Sequence, residues 1–289
     1  MFLGNLLFML SNKILHFCLV VCLVIPTSGL LSQHDHDHHD HGDDDPSHRN
    51  YVHNYEPSFK KELPYLAAGV GLNIVGFVLN RNVEANTLED ISALDINDIN
   101  SFDSGAASNL SGTAQNASDI ILYTGAILPF VTLFNNNCRA ETKAISYMAV
   151  ETFLVTFGIT NITKALVQRQ RPFNYNPETP LDEKLTADSR ASFFSGHTSV
   201  TTAMSIMSAK VLTDLHPDIK HKGLIWTTGA VIPAAIGFLR VKAGRHFPTD
   251  VMTGYAVGAA IGYLIPTLHK SEKLHLDLHA NGIGLTLRF

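Results

Sequence analysis

Six apolar stretches dominate the chain: 64–80, 119–134, 144–166, 194–211, 223–239 and 251–268. Each runs about 16 to 23 residues, long enough for a buried helix and marginally long enough to cross a bilayer core of roughly 30 Å. A chain built this way is expected to fold as an all-α, six-helix bundle. Its mean hydropathy of +0.10 is modest for six spans. Most stretches also carry Gly, Ser, Thr or Asn, which mark tight packing between membrane helices as well as soluble burial. Composition leaves spanning and burial open.

What surrounds the bundle divides the chain into four parts. Residues 1–31 hold Lys13, an apolar run over 14–25 and then Pro26, Thr27, Ser28 and Gly29, the pattern of a secretory signal peptide or an uncleaved anchor. Residues 32–63 are expected to be a disordered linker, because 33–50 is a His and Asp tract with nothing to bury. Its six histidines suit weak Zn or Cu binding as well as a solvated spacer, and no catalysis is placed there. Residues 64–270 form the helical domain. Inside it, 81–118 is acidic and polar and reads as capped short helices on the surface. A calcium loop is excluded, since position 12 counted from Asp95 is Ala106 and from Asp98 is Asn109.

Residues 271–289 change period to strict alternation around Asn281-Gly282, which predicts a β-hairpin with Leu278 opposite Leu285, Leu276 opposite Leu287 and Leu274 opposite Phe289. The net charge of −5 and a charged fraction of 16% exclude the basic surface that nucleic acid requires. The cysteines are Cys18, Cys22 and Cys138, two of them in the leading apolar run, so no structural disulfide is expected.

The polar residues that interrupt this apolar pattern carry the chemistry. Lys164 and Arg171 are seven residues apart, about 700° of helical rotation, which predicts two cations on one face of a helix ended by Pro172. Ser195, Gly196 and His197 open the next apolar stretch. Arg240, His246 and Asp250 follow the fifth, with Pro248 placed for the first turn of the sixth helix. Three cations and two histidines at helix ends suit a tetrahedral oxyanion. The Gly196 and His197 N–H groups would add donors at a helix N-terminus. His246, with Asp250 one turn on, fits a neutral nucleophile with an orienting carboxylate. His197 fits the acid and base that protonates the leaving oxygen and then activates water, with Ser195 an auxiliary donor.

These three blocks, KALVQRQRP from Lys164, FSGH from Phe194 and RVKAGRHFPTD from Arg240, resemble the type 2 phosphatidic acid phosphatase and vanadium haloperoxidase superfamily. The resemblance implies the helical bundle of that superfamily and a phosphohistidine mechanism with no metal or cofactor. It implies His246 as nucleophile, Asp250 as its orienting partner and His197 as acid/base. Lys164, Arg171, Ser195, Gly196 and Arg240 would be the phosphate ligands. Phe194 stands where the family commonly has Pro, and Leu239 where it commonly has Ser. Neither change removes a group the chemistry needs.

The function expected is therefore hydrolysis of a phosphomonoester or diphosphate, on a phosphorylated lipid or another small phosphoester. A vanadate-dependent haloperoxidase is the alternative reading. The expected place is exported and membrane-associated, with the site facing away from the cytoplasm, or else soluble in the periplasm. The topology holds a conflict. A leader that exports residue 64 would put Arg171, three spans later, on the cytoplasmic side, whereas the acidic 81–118 segment reads as external.

Overall fold

The computed structural model describes residues 54–55, 58–132, 136–270, 274–279 and 282–287. The expected leader and the His and Asp tract lie outside the described residues. The protein is mostly helical. In chain order the helices are α1 Phe59–Asn80, α2 Leu88–Ser92, α3 Gly112–Val131, α4 Asn136–Ala140, α5 Thr142–Val167, α6 Leu181–Lys184, α7 Gly196–Leu215, α8 Lys222–Lys242 and α9 Pro248–His269.

The centre of the bundle is α7, and α3, α5, α8 and α9 pack around it. Its residues from Thr198 to Val211 are all buried, although the sequence is rich in hydroxyls. Some of those hydroxyls are satisfied within the helix: Thr202 Oγ1 donates to the Thr198 carbonyl and Ser208 Oγ to the Met204 carbonyl, both at 2.7 Å, whereas Thr201 Oγ1 and Ser205 Oγ are buried with no hydrogen-bond partner among the described residues. Small residues on a neighbour bring the backbones together. Gly254, Gly258 and Gly262 recur every fourth residue on α9, and a Cβ there would sit 2.6, 2.2 and 2.2 Å from the carbonyl oxygens of Ser195, Ser199 and Ala203. Only glycine permits that approach.

The first helix is built the other way round. It buries Glu62, Gly69 and Gly76, and exposes Val70, Ile74, Val75, Phe77 and Val78. Its seam with α5 is polar: Asn73 and Asn80 donate from Nδ2 to the carbonyls of Leu154 and Asn161 at 2.8 and 3.0 Å. Apolar side chains outward and small or polar ones inward is the arrangement of a helix in lipid. Four helical segments are long and apolar enough to cross a membrane: Phe59–Asn80, Thr142–Tyr175, Lys222–Lys242 and Pro248–His269.

Two expectations change here. The helical body begins before residue 64: α1 starts at Phe59, and Tyr55 is fully buried with its hydroxyl 3.0 Å from Asp214 Oδ2. Apolarity did not mark this start because Lys60, Lys61 and Glu62 form the first turn. At the other end, β1 Leu274–His279 and β2 Gly282–Leu287 pair antiparallel two residues away from the expected register. Leu278 lies opposite Ile283, Leu276 opposite Leu285 and Leu274 opposite Leu287, and Gly282 belongs to the strand. A shift of two is compatible with the alternation, because each position returns to the same face.

Candidate active site

His246 lies in the link between α8 and α9 and is buried. Its Nδ1 is 2.7 Å from the Ser192 carbonyl oxygen. A carbonyl only accepts, so Nδ1 carries the proton and Nε2 keeps its lone pair. Nε2 faces Arg171 Nη1 at 3.4 Å. Burial, followed by the charges of Lys164, Arg171 and Arg240, holds the His246 pKa well below the ordinary 6.5. The ring is neutral, with its free nitrogen directed at cations.

Asp250 does not orient this ring directly. Its Oδ2 is 3.7 Å from Nδ1, and it accepts instead from Ser192 Oγ at 2.6 Å and from the Phe247 N–H at 2.8 Å. His246 precedes the extended N-cap residue Phe247, so residues 246 and 250 do not share a helical face, and the two side chains stand at ion-pair distance without a hydrogen bond between them. Asp250 caps α9 and, through Ser192, holds the strand of chain whose carbonyl fixes the His246 tautomer.

Lys164, in the last turn of α5, donates to the Ala191 carbonyl, and a Cβ on Gly196 would stand 3.9 Å from its Cε. Arg171 comes from extended backbone, not from a helix. It donates from Nε and Nη2 to the Asp188 carbonyl and carboxylate, each at 2.8 Å, and from Nη1 to the Arg245 carbonyl at 2.9 Å. The expected common helical face is thus absent. The helix α5 stops at Val167, where Gln168 turns left-handed with φ 47°, and Pro172 opens a 3-10 turn over Pro172–Tyr175. Proline disfavours the α conformation in the residue before it, so the chain turns back and the two cations meet without sharing a helix.

Arg240 closes the cluster from the end of α8. Its Nη1 donates to Ser118 Oγ at 3.2 Å and Asp119 Oδ1 at 3.3 Å, while its Nε is buried with no hydrogen-bond partner among the described residues. Opposite, Ser195 caps α7 and is buried, its Oγ 2.9 Å from Thr198 Oγ1. Gly196 and His197 occupy the first turn of α7, where N–H donors have no partner within the helix and the dipole is positive. His197 Nε2 is 2.7 Å from Asp119 Oδ1. Burial pushes its pKa down to about 4, against the Asp119 hydrogen bond.

Residues 142–273 match the PAP2 superfamily model. Over those residues the chain is similar to the PAP2 superfamily. An undecaprenyl-diphosphatase of Sulfolobus acidocaldarius is 29% identical over 125 residues, 43% of this chain and 55% of that protein. A phosphatidylglycerophosphatase B of Bacillus subtilis is 30% identical over 117 residues, 39% and 54% of the two chains. The chain thus spans about half the length of these curated relatives. The crystal structure of a transmembrane PAP2 type phosphatidylglycerolphosphate phosphatase from Bacillus subtilis aligns at 21% identity with a TM-score of 0.43, over 69% of this chain and 94% of that one.

Four residues that support this cluster escaped sequence reasoning. Ser192 supplies the carbonyl for His246. Asp119 links His197 to Arg240. Arg169 bridges Asp250 Oδ1 at 2.6 Å and Asp103 Oδ2 at 2.8 Å, with its guanidinium 4.2 Å over the Phe247 ring. Asp103 is fully buried and also takes the N–H and hydroxyl of Thr249 at 3.0 and 2.6 Å. The segment 81–118 is therefore not all surface: it sends a carboxylate beneath the site. A single acid in a run of small residues carries no periodic signal that would have marked it.

Proposed function

We propose that the chain is a metal-independent phosphatase that removes phosphomonoester or diphosphate groups from lipids through a phosphohistidine on His246. The observation that supports this best is a neutral His246 whose unprotonated Nε2 faces Arg171 and whose ring feels the charges of Lys164, Arg171 and Arg240, with the Arg240 Nε buried and unpaired among the described residues. Such a cradle suits a tetrahedral anion, and its fixed charges would stabilise the charge that spreads over the transferred group.

In the first half-reaction His246 Nε2 attacks phosphorus, a P–N bond forms, the P–O bond to the leaving group breaks, and His197 gives the leaving oxygen a proton. In the second, His197 takes a proton from water, the water oxygen bonds to phosphorus, and the P–N bond breaks to release phosphate. His197 is neutral in the free site, with its pKa near 4. Negative charge on a bound phosphate opposes that shift and charges the ring for the first step. Lipid substrates accord with the spanning-competent helices around the site and with relatives named for an undecaprenyl diphosphate and a phosphatidylglycerophosphate.

The orientation proposed places the site on the exported face. Segment 81–118 joins the site end of the bundle, and Arg81 is its only Lys or Arg. Lys60, Lys61, Lys220, Lys222 and Lys270 lie towards the other end, while Arg169, Arg171, Lys184, Arg190 and Arg245 lie in the connecting segments at the site end, so the acidic segment and not a charge count carries this orientation. In this orientation Phe59 starts on the cytoplasmic side, in line with the acidic segment and against a leader that exports residue 64.

The test is phosphate release from a lipid phosphate, a prenyl diphosphate and a soluble phosphomonoester with EDTA present, for wild type and His246→Asn. Release by wild type that the variant lacks is expected, fastest on a lipid. Release that persists in the variant would sink the phosphohistidine route.

A further inference from the structure

A second histidine cluster lies away from the catalytic one. Glu62 comes from the first turn of α1, Glu151 from α5 and His269 from the last turn of α9. His269 and Asp250 are 19 residues apart on α9, about 28 Å along a helix, so this cluster stands at the end opposite the catalytic site. Glu62 is 2% exposed, Glu151 0%, and the His269 side chain 7%.

His269 Nδ1 is 2.8 Å from the Ile265 carbonyl oxygen, which places a proton on Nδ1. Nε2 meets Glu62 Oε2 at 2.7 Å and Glu151 Oε2 at 2.9 Å. Both oxygens of Glu151 are buried with no hydrogen-bond partner among the described residues, Oε2 making only its ion-pair contact with His269 and Oε1 none. Two buried carboxylates against one imidazolium leave a net negative charge and an unsatisfied acceptor, both costly away from water.

We propose that Glu62, Glu151 and His269 hold one divalent transition-metal ion of the zinc class, a site separate from the phosphatase machinery. One ligand atom from each residue lies within 4.8 Å of the others. A dication with a neutral imidazole balances the two carboxylates, and Glu151 Oε1 gains a partner. One imidazole with carboxylates suits zinc, whereas calcium and magnesium favour oxygen alone. The Nδ1–H to a backbone carbonyl is the outer contact that orients a metal-bound histidine. Ligand atoms of a four-coordinate zinc stand about 3.4 Å apart for bonds of about 2.1 Å. The separations of 2.7 and 2.9 Å belong to the proton-bridged form and open by roughly half an ångström through glutamate torsions when the ion replaces that proton. The ion then clamps the first turn of α1, which otherwise rests on α5 along its glycine and asparagine seam, to both α5 and α9.

The test uses the full chain in detergent, stripped with EDTA and dialysed, then titrated with Zn²⁺ against a chromophoric competitor while Tm is followed. Wild type should bind one tight equivalent and gain several degrees in Tm. Glu62→Gln and Glu151→Gln should each weaken that equivalent by about 100-fold or more and lose the gain. Because the six histidines in 33–50 are a second place for zinc, a third variant carries serines there, and it should keep both the tight equivalent and the gain. X-ray absorption of zinc in that third variant should show one imidazole and oxygen ligands, a result independent of whether the glutamate variants fold. Tight binding unchanged in folded glutamate variants, a gain that disappears with the tract histidines, or two or more imidazoles on the zinc would each overturn the site.

Discussion

His246 and His269 stand at opposite ends of α9, and each is set up in the same way. Nδ1–H donates to a backbone carbonyl, Ser192 at 2.7 Å in one case and Ile265 at 2.8 Å in the other, and Nε2 is left to face charged side chains. The charges are opposite in sign. Arg171 lies 3.4 Å from Nε2 of His246, while Glu62 and Glu151 lie 2.7 and 2.9 Å from Nε2 of His269. One side chain in one tautomer is thereby directed at an anion or at a cation by residues that other helices deliver. The imidazole itself does not choose.

The largest effect that would break this contrast is expected at His246. His246→Asn should lower phosphate release by on the order of 10³-fold or more, with vanadate binding retained. Residual activity above a few per cent would remove the ring from the reaction. Next is Arg240→Lys, which keeps the charge but deletes the unpaired Nε. A loss of about 100-fold in kcat/KM is expected, and a change within threefold would show that Nε does not bind the anion.

Asp250→Asn should cost only about tenfold in kcat with KM little changed, since Asp250 acts through Ser192 and lies 3.7 Å from the ring. A loss as large as that of His246→Asn would restore it as a direct partner. The smallest effect is on stability against pH. The folded His197 pKa of about 4 lies below its ordinary 6.5, so between these values the unfolded chain binds the extra proton. That contribution to stability is present above about pH 6.5 and is lost as pH falls towards 4. Tm should drop across that window, and His197→Gln should flatten the drop. An identical slope in both proteins would contradict the buried, neutral ring.

The helical character was legible because apolar stretches of helix length need no tertiary information to be seen. The polar residues of the site were legible for the complementary reason: Lys164, Arg171, Arg240 and the two histidines interrupt apolar surroundings, where an uncompensated charge is costly. Ser192, Asp103 and Arg169 fall in polar segments where such residues are ordinary, and Asp119 opens an apolar stretch where an acid is an ordinary helix-start residue, so nothing local distinguished them. The start of α1 was obscured in the same way, by a charged first turn whose Glu62 is balanced 207 residues later by His269.

The sequence by itself determined the helical material, the three motif blocks and the class of chemistry they suit, since each depends on spacing along one segment. Tertiary structure decided which nitrogen of His246 is free, that Asp250 caps α9 and does not hold that ring, that hydroxyl-rich α7 is the buried centre while apolar α1 faces outward, and that two glutamates meet His269. Each of these depends on which atoms approach from distant parts of the chain, and hydrogen bonds and ion pairs of 2.6 to 3.7 Å are set by that approach, which no spacing within a segment encodes.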